Sequence, residues 1–218
     1  MDSVDMHTAV PLGEAFFARD TVTVAREVLG KVLASTVGGE LVAGRIVECE
    51  AYLGSDDLGS HAATRGITKR NCVMYGPPGR AYVYFTYGNH YMLNLVTEPE
   101  GVAGAVLVRA LEPLLGQEVM ASRRGRVAPE CTNGPGKVAA ALGVTLAENG
   151  SILGSGPLAL YDAPAPPEPI LTSGRIGLRA GHEALLRFYL QGNEYVSRGR
   201  PGPRKPTRRV GHERKAGR

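Results

Sequence analysis

Glycine and proline set the first limit on this fold. They account for 29 and 15 of the 218 residues, about one in five. That is too many helix breakers for a bundle, and it favours short elements joined by many turns. Neither a collagen-like nor a heptad period is present. A chain with 43% hydrophobic and 21% charged residues suits one globular domain with a sizeable core. The cysteines, Cys49, Cys72 and Cys131, are odd in number and widely spaced. They outline neither a disulfide framework nor a CxxC metal site, and a reducing compartment is the simpler expectation.

The net charge of +4 conceals an asymmetry. From Ser197 to Arg218 there are nine basic residues and one acid, so this stretch carries +8 and the remainder −4. With Pro201, Pro203 and Pro206 and almost nothing apolar, residues 198–218 are expected to form a disordered basic tail, either a solubilising end or a counterion-releasing arm for nucleic acid. Residues 1–11 are expected to be a flexible N-terminus. Asp2 and Asp5 do not fit the positive start of a signal peptide, and no apolar run reaches the roughly 20 residues of a membrane span. A cytoplasmic protein with no membrane partner is expected.

The local pattern is that of an α/β chain of the α+β type. Cap-type Asp20, Thr21 and Thr23 precede Ala25, Val28, Leu29 and Val32 at helical spacing, so a helix is expected from about residue 22. Runs 32–37 and 41–52, separated by Gly38-Gly39, read as a hairpin. Residues 53–79 read as a long irregular loop, of the kind that is functional or mobile. Runs 81–87 and 90–97 read as a second hairpin with Gly88-Asn89 as its two-residue turn. A further strand over 103–111, a helix over 114–124, a short helix over 137–142 and strand-like pieces at 158–161, 175–179 and 186–190 complete the pattern. No repeat and no linker divides residues 12–197, which read as one domain.

Two clusters carry the candidate chemistry. Tyr75, Tyr82, Tyr84, Phe85, Tyr87 and Tyr91 place six of thirteen aromatic residues within 17 positions. An isolated strand tyrosine is ordinarily a packing residue. Here strand alternation puts Tyr82 and Tyr84 on one face and Val83, Phe85 and Tyr87 on the other. A ring at a hairpin tip suits insertion between stacked bases, where stacking contributes about 1–3 kcal/mol per base. The second cluster is Glu48 and Glu50, which share a strand face with Tyr52, opposite Cys49 and Ala51. A solvated face is the plain reading. Glycosidase-type paired acids usually flank a substrate from separate elements, which adjacent acids on one face suit poorly.

Ordered pieces then identify a resemblance. Residues 48–54, His61, Arg70-Asn71, residues 82–88, Asn94, residues 107–113, residues 133–137, Arg175-Ile176-Gly177 and Arg187-Phe188-Tyr189 closely resemble the alkyladenine (3-methyladenine) DNA glycosylase family, over roughly residues 12–197. The resemblance implies a monofunctional DNA glycosylase that starts base excision repair on damaged double-stranded DNA. Its expected fold is a single domain with a mixed, largely antiparallel curved sheet, surrounding helices and a protruding hairpin that enters DNA.

The resemblance also implies roles. Glu50 activates a water for attack on C1′, with Arg109 and the carbonyl of Ile176 helping to hold that water. Tyr52 on one side, and Tyr84 with His61 on the other, enclose the flipped base. Asn94 gates against the 2-amino group of guanine, and Tyr87 fills the gap in the duplex. The expected substrates are 3-methyladenine and 7-methylguanine, with ethenoadenine and hypoxanthine as further candidates. An N-alkylated purine leaves without a general acid, and its charge gains cation–π attraction from two rings. No lysine replaces the nucleophile, so no β-lyase step is expected; no cofactor and no metal are implied, and a monomer is expected.

Gly134-Pro135-Gly136-Lys137 lacks the Ser or Thr of a nucleotide-binding phosphate loop, yet Lys137 and the following helix start could bind a DNA phosphate. Asn89, expected with Tyr87 and Lys137 among the DNA-contacting residues, stands where the family pattern has a bulky apolar residue supporting the wedge, and Lys69 where it commonly has proline. The competing readings are a non-catalytic nucleic-acid-binding module on the same fold and a hydrolase of free nucleosides.

Overall fold

A computed structural model describes residues 9–202. Residues 1–8 of the expected flexible stretch 1–11 and most of the expected basic tail, 203–218, lie outside the described residues. Within the described part, Leu12 N–H donates to Leu160 O at 2.7 Å. Pro11 bridges Tyr161, and Gly202 bridges Ile176, so both ends of the described chain are tied to the body.

One sheet organises the domain. Its strands are β1 (Val32–Ser35), β2 (Val42–Tyr52), β3 (Ala81–Thr86), β4 (His90–Val96), β5 (Ala105–Leu115), β6 (Leu158–Tyr161), β7 (Ile170–Ser173) and β8 (Arg187–Leu190). The order is β3-β4-β5-β2-β1-β6, with β8 pairing both β2 and β7. Every strand pairing among the described residues is antiparallel; the expected mixed character reduces to the single parallel bridge of Ile176 to Gly202. Strand β2 is the spine. It pairs β5 over most of its length, β1 at its start and β8 at Glu48–Glu50. Register shifts on either side of Glu48 increase local twist and bend the strand, which curves the sheet into a half-barrel.

Helices are few: α1 (Glu14–Phe17), α2 (Thr21–Glu27), α3 (His61–Arg65), α4 (Gln117–Arg124) and α5 (Pro135–Leu142). Asp20 caps α2 by accepting from Thr23 N–H at 2.8 Å, as its residue type favours. Val24, Ala25 and Val28 are then buried with Val138, Leu142 and the inward residues of β2, β4 and β5 in the main core. Burial of each valine or leucine among them contributes about 1.5–3 kcal/mol. A smaller cluster on the other side of β3 joins Tyr82, Met74 and Ala105 to the partly buried Tyr52 and Tyr84.

Several expected boundaries shift. The helix expected over 114–124 begins at Gln117, because β5 continues to Leu115 and Gly116 (φ +68°) adopts a left-handed turn that no helix interior accepts. The loop expected over 53–79 contains α3 and a 3₁₀ turn at Cys72–Tyr75. Asn71 organises it, accepting from Thr68 N–H at 2.6 Å and donating to the carbonyls of His61 and Gly66 at 3.0 and 2.9 Å. Residues 175–179 form no strand, and β7 has no counterpart in the sequence reading. In the second hairpin Thr86 pairs His90, leaving a three-residue turn. The left-handed positions are Tyr87 (φ +55°) and Gly88 (φ +74°) rather than Gly88 and Asn89.

Candidate active site

The alternation of β2 sends Cys49 into the main core, where its thiol donates to Ala25 O at 3.0 Å, and sends Glu48 and Glu50 to the opposite side. Both glutamates are fully buried, so the solvated-face reading does not hold. Arg109, on the neighbouring β5, joins them: Nε donates to Glu48 Oε1 at 3.0 Å and an Nη to Glu50 Oε2 at 3.1 Å. Burial opposes the charge on Arg109, but the two carboxylates outweigh it and raise its pKa further.

The two acids differ in their partners. Glu48 also accepts from Arg187 Nε at 2.7 Å, from Ser197 N–H at 2.7 Å and from the Ser197 hydroxyl at 2.8 Å. Burial works against its ionisation, yet Arg109 and Arg187 prevail and hold its carboxyl below the usual range. Glu50 takes the Tyr52 hydroxyl on Oε2 at 2.8 Å and the Ile176 N–H on Oε1 at 2.8 Å. Tyr52 thus contributes a hydrogen bond as well as a ring, which alternation alone did not foresee. Burial first, and then the Glu50 carboxylate, raise the Tyr52 phenol well above its ordinary pKa.

A cleft of about 800 Å³ opens above this floor, lined by Tyr52, Arg109 and Ile176 together with His61, Tyr84 and Asn94. Glu50 lies one layer beneath the three residues that hold it. His61, the first residue of α3, meets Tyr84 edge-on at 4.7 Å between ring centroids and hydrogen-bonds through Nδ1 to the Tyr82 hydroxyl at 2.9 Å. Tyr82 and Tyr84 lie tilted at 5.3 Å. Burial, and then the charge of Arg70, hold the His61 ring below the usual histidine range. Asn94 is buried and donates to Tyr82 O at 3.0 Å.

Other candidate residues stand at the rim. Tyr87 is 61% exposed at the hairpin tip and lines the cleft. Asn89 is exposed beside it and lies outside the lining. Lys137 lines the cleft from the first turn of α5 and donates to Asn133 Oδ1 at 2.6 Å. Among the described residues, no group of three or more His, Cys, Asp or Glu side chains is placed to hold a metal ion, and no helix is long and apolar enough to cross a membrane.

Several residues important to the site were given no role in it by the sequence reading. Arg175 is fully buried and pairs with Asp57, donating also to Ala51 O at 2.9 Å and Gly181 O at 2.8 Å. Asp57 in turn accepts from the N–H groups of Leu53 and Gly59. Gly199, Arg200, Pro201 and Gly202 form one side of the cleft, although the charge pattern assigned them to a tail. Charge alternation gives no signal for such long-range pairs.

A family model described as "Methylpurine-DNA glycosylase (MPG)" matches residues 15–194. Relatives named "Putative 3-methyladenine DNA glycosylase" include one from Chlorobaculum tepidum, 45% identical over 205 residues that cover 93% of this chain and 98% of the relative. One from Methanoculleus marisnigri is 50% identical over 194 residues, 86% of this chain and 98% of the relative. One from Carboxydothermus hydrogenoformans is 46% identical over 191 residues, with the same coverages of 86% and 98%. The class so defined is that of the DNA glycosylases, hydrolases of N-glycosyl bonds. Within it, the chain belongs to the methylpurine-DNA glycosylase family.

Proposed function

We propose that the protein flips alkylated purines, 3-methyladenine and 7-methylguanine foremost, out of double-stranded DNA and hydrolyses their N-glycosidic bond, with ethenoadenine and hypoxanthine as further substrates. The observation that carries this reading is the setting of Glu50. Its carboxylate is fixed by Arg109, Tyr52 and the Ile176 N–H, and all three of these partners also line the aromatic cleft.

In this reading a base rotated from the stack enters between Tyr52 and the Tyr84–His61 pair, at a cost of a few kcal/mol that is least for damaged or mispaired bases. Glu50 takes a proton from a water as that water's oxygen bonds to C1′. The C1′–N bond breaks, and its electron pair leaves with the base. For a cationic N-alkylpurine this pair neutralises the leaving group, so no general acid is required. Arg109 and the backbone of Ile176 orient the water-activating carboxylate, and Asn94 meets the purine edge where guanine carries its 2-amino group. Tyr87 fills the vacated stack and carries most of the wedge, Asn89 contacts DNA beside it, and Lys137 with the start of α5 contacts a phosphate. Attack by water rather than by an amine leaves an abasic sugar with no Schiff base, and hence no strand cleavage.

The test is base release from duplexes carrying each of the four lesions. Glu50→Gln is expected to retain binding to damaged and abasic DNA while release falls by about 10²–10⁴-fold, the range for loss of a general base. Full release by that variant would overturn the mechanism. A wild-type protein that binds these duplexes but frees no base would favour the binding-module reading.

A further inference from the structure

Two of the rings that wall the cleft each carry an arginine. Arg70 Cζ lies 4.8 Å from the centroid of Tyr84, and Arg175 Cζ lies 4.8 Å from that of Tyr52. Both tyrosines line the cleft and neither arginine does, so each guanidinium occupies ring surface away from the enclosed space.

The two cations differ in their compensation. Arg175 is buried against Asp57, which cancels most of its field. Arg70 is exposed and forms no ion pair among the described residues. The floor is balanced as well, since Glu48 and Glu50 face Arg109 and Arg187. Arg124, Lys137 and Arg200 line the cleft, but none of them lies over one of its rings. Among the described residues, Arg70 is therefore the charge without an ion-pair partner that acts through a ring of the wall.

The physical consequence concerns charged bases. A π face attracts a cation through its quadrupole. When the opposite face already holds a guanidinium, the second cation meets electrostatic repulsion across the ring. A neutral base stacks on the same ring without that penalty. We propose that Arg70 is a specificity-determining residue of the base pocket, tilting it away from cationic N-alkylpurines and toward neutral lesions. This rests on the proposed reading of the cleft as the pocket for a flipped base. It also qualifies the expectation that two bare tyrosine faces select cationic bases.

The measurement is single-turnover release of 7-methylguanine, which is cationic in DNA, and of hypoxanthine, which is neutral, from otherwise identical duplexes. Arg70→Gln is expected to raise the ratio of 7-methylguanine to hypoxanthine release about two- to fivefold, in the range of one exposed cation–π interaction. Arg70→Lys, which keeps the charge, is expected to stay near the wild-type ratio. In the wild type the ratio is expected to rise with salt, because exposed charges are screened; this arm needs no variant, and backbone binding common to both duplexes cancels in it. An unchanged ratio in Arg70→Gln, or equal loss on both lesions, would overturn the role of Arg70 while leaving the glycosylase reading intact. Failure of the wild type to release either base would overturn both.

Discussion

The backbone N–H of Ile176 donates to Glu50 Oε1 at 2.8 Å, across 126 positions of sequence. Among the described residues, no strand holds Ile176 in place. Its neighbour Arg175 anchors it by reaching Ala51 O, Asp57 and Gly181 O, while Gly202 bridges it from the other side. The orientation of one catalytic candidate on β2 thus depends on an ion pair between two loops.

That dependence makes Asp57 a positioning residue. Asp57→Asn is expected to lower base release about tenfold with DNA binding unchanged, because only the alignment of Glu50 is loosened. Burial opposes ionisation of Asp57, but Arg175 holds its carboxyl below the usual range. A depressed carboxyl contributes stability that is present above its unfolded value of about 3.9 and is lost as pH falls through the folded value. The wild type is therefore expected to lose stability from about pH 4 downward, and Asp57→Asn to show a flatter acid limb by chemical denaturation. Identical acid limbs would contradict this.

Glu48 is expected to matter for stability before chemistry. Glu48→Ala leaves the Arg109 and Arg187 guanidiniums buried without their shared acceptor, a situation that costs about 3–5 kcal/mol. For a chain of this size that corresponds to a Tm lowered by about 6–20 °C. Scanning calorimetry would read it, and a shift below about 2 °C would show that the network relaxes.

Tyr87 adopts φ +55° at the hairpin tip, a conformation that penalises non-glycine residues by about 1–2 kcal/mol. Tyr87→Gly is expected to be more stable than Tyr87→Ala by about 1 kcal/mol, with both binding abasic-site DNA more weakly than wild type. Equal stabilities would show that the tip relaxes freely; unchanged affinity would reduce the hairpin to a surface turn.

The His61 ring offers a reading of Arg70 in the absence of DNA. Its pKa is depressed by burial and, second, by Arg70. Arg70→Gln is expected to move the His61 titration, followed by NMR, upward toward the ordinary value of about 6.5 without reaching it. A folded-state value below the unfolded one means that His61 protonation disfavours the fold as pH drops below about 6.5, and less steeply so in the variant. No movement would separate the two side chains electrostatically.

Residues 203–218 contain seven basic residues and one acid. Their deletion is expected to flatten the salt dependence of non-specific DNA binding, since fewer counterions are released, and to leave single-turnover release near wild type. A steep slope retained after deletion would place the DNA charge contacts on the body instead.

Much of the scaffold was legible in the chain. Asp20 with its following helical spacing located α2, and alternation around Cys49 put Glu48 and Glu50 on one face, as it put Tyr82 and Tyr84 together on β3. These are local regularities, set by backbone period and cap chemistry. Gly116 was less transparent: its left-handed turn cuts a helix out of a strand, and Leu114 and Leu115 suit either element. β7 was missed because none of Ile170–Ser173 is buried and the segment acquires strand form only by pairing with β8.

The amino-acid sequence by itself determined the elements, the faces their side chains occupy and the family to which the ordered motifs belong, because each depends on neighbours a few positions apart. The tertiary structure alone decided that Glu48 is buried by Arg109, Arg187 and Ser197, that Glu50 is oriented by Ile176, and that Arg175 and Arg70 stand behind Tyr52 and Tyr84. Those relationships join residues up to 149 positions apart. They arise because a buried charge must find a partner wherever the fold brings one within reach, which no local pattern encodes.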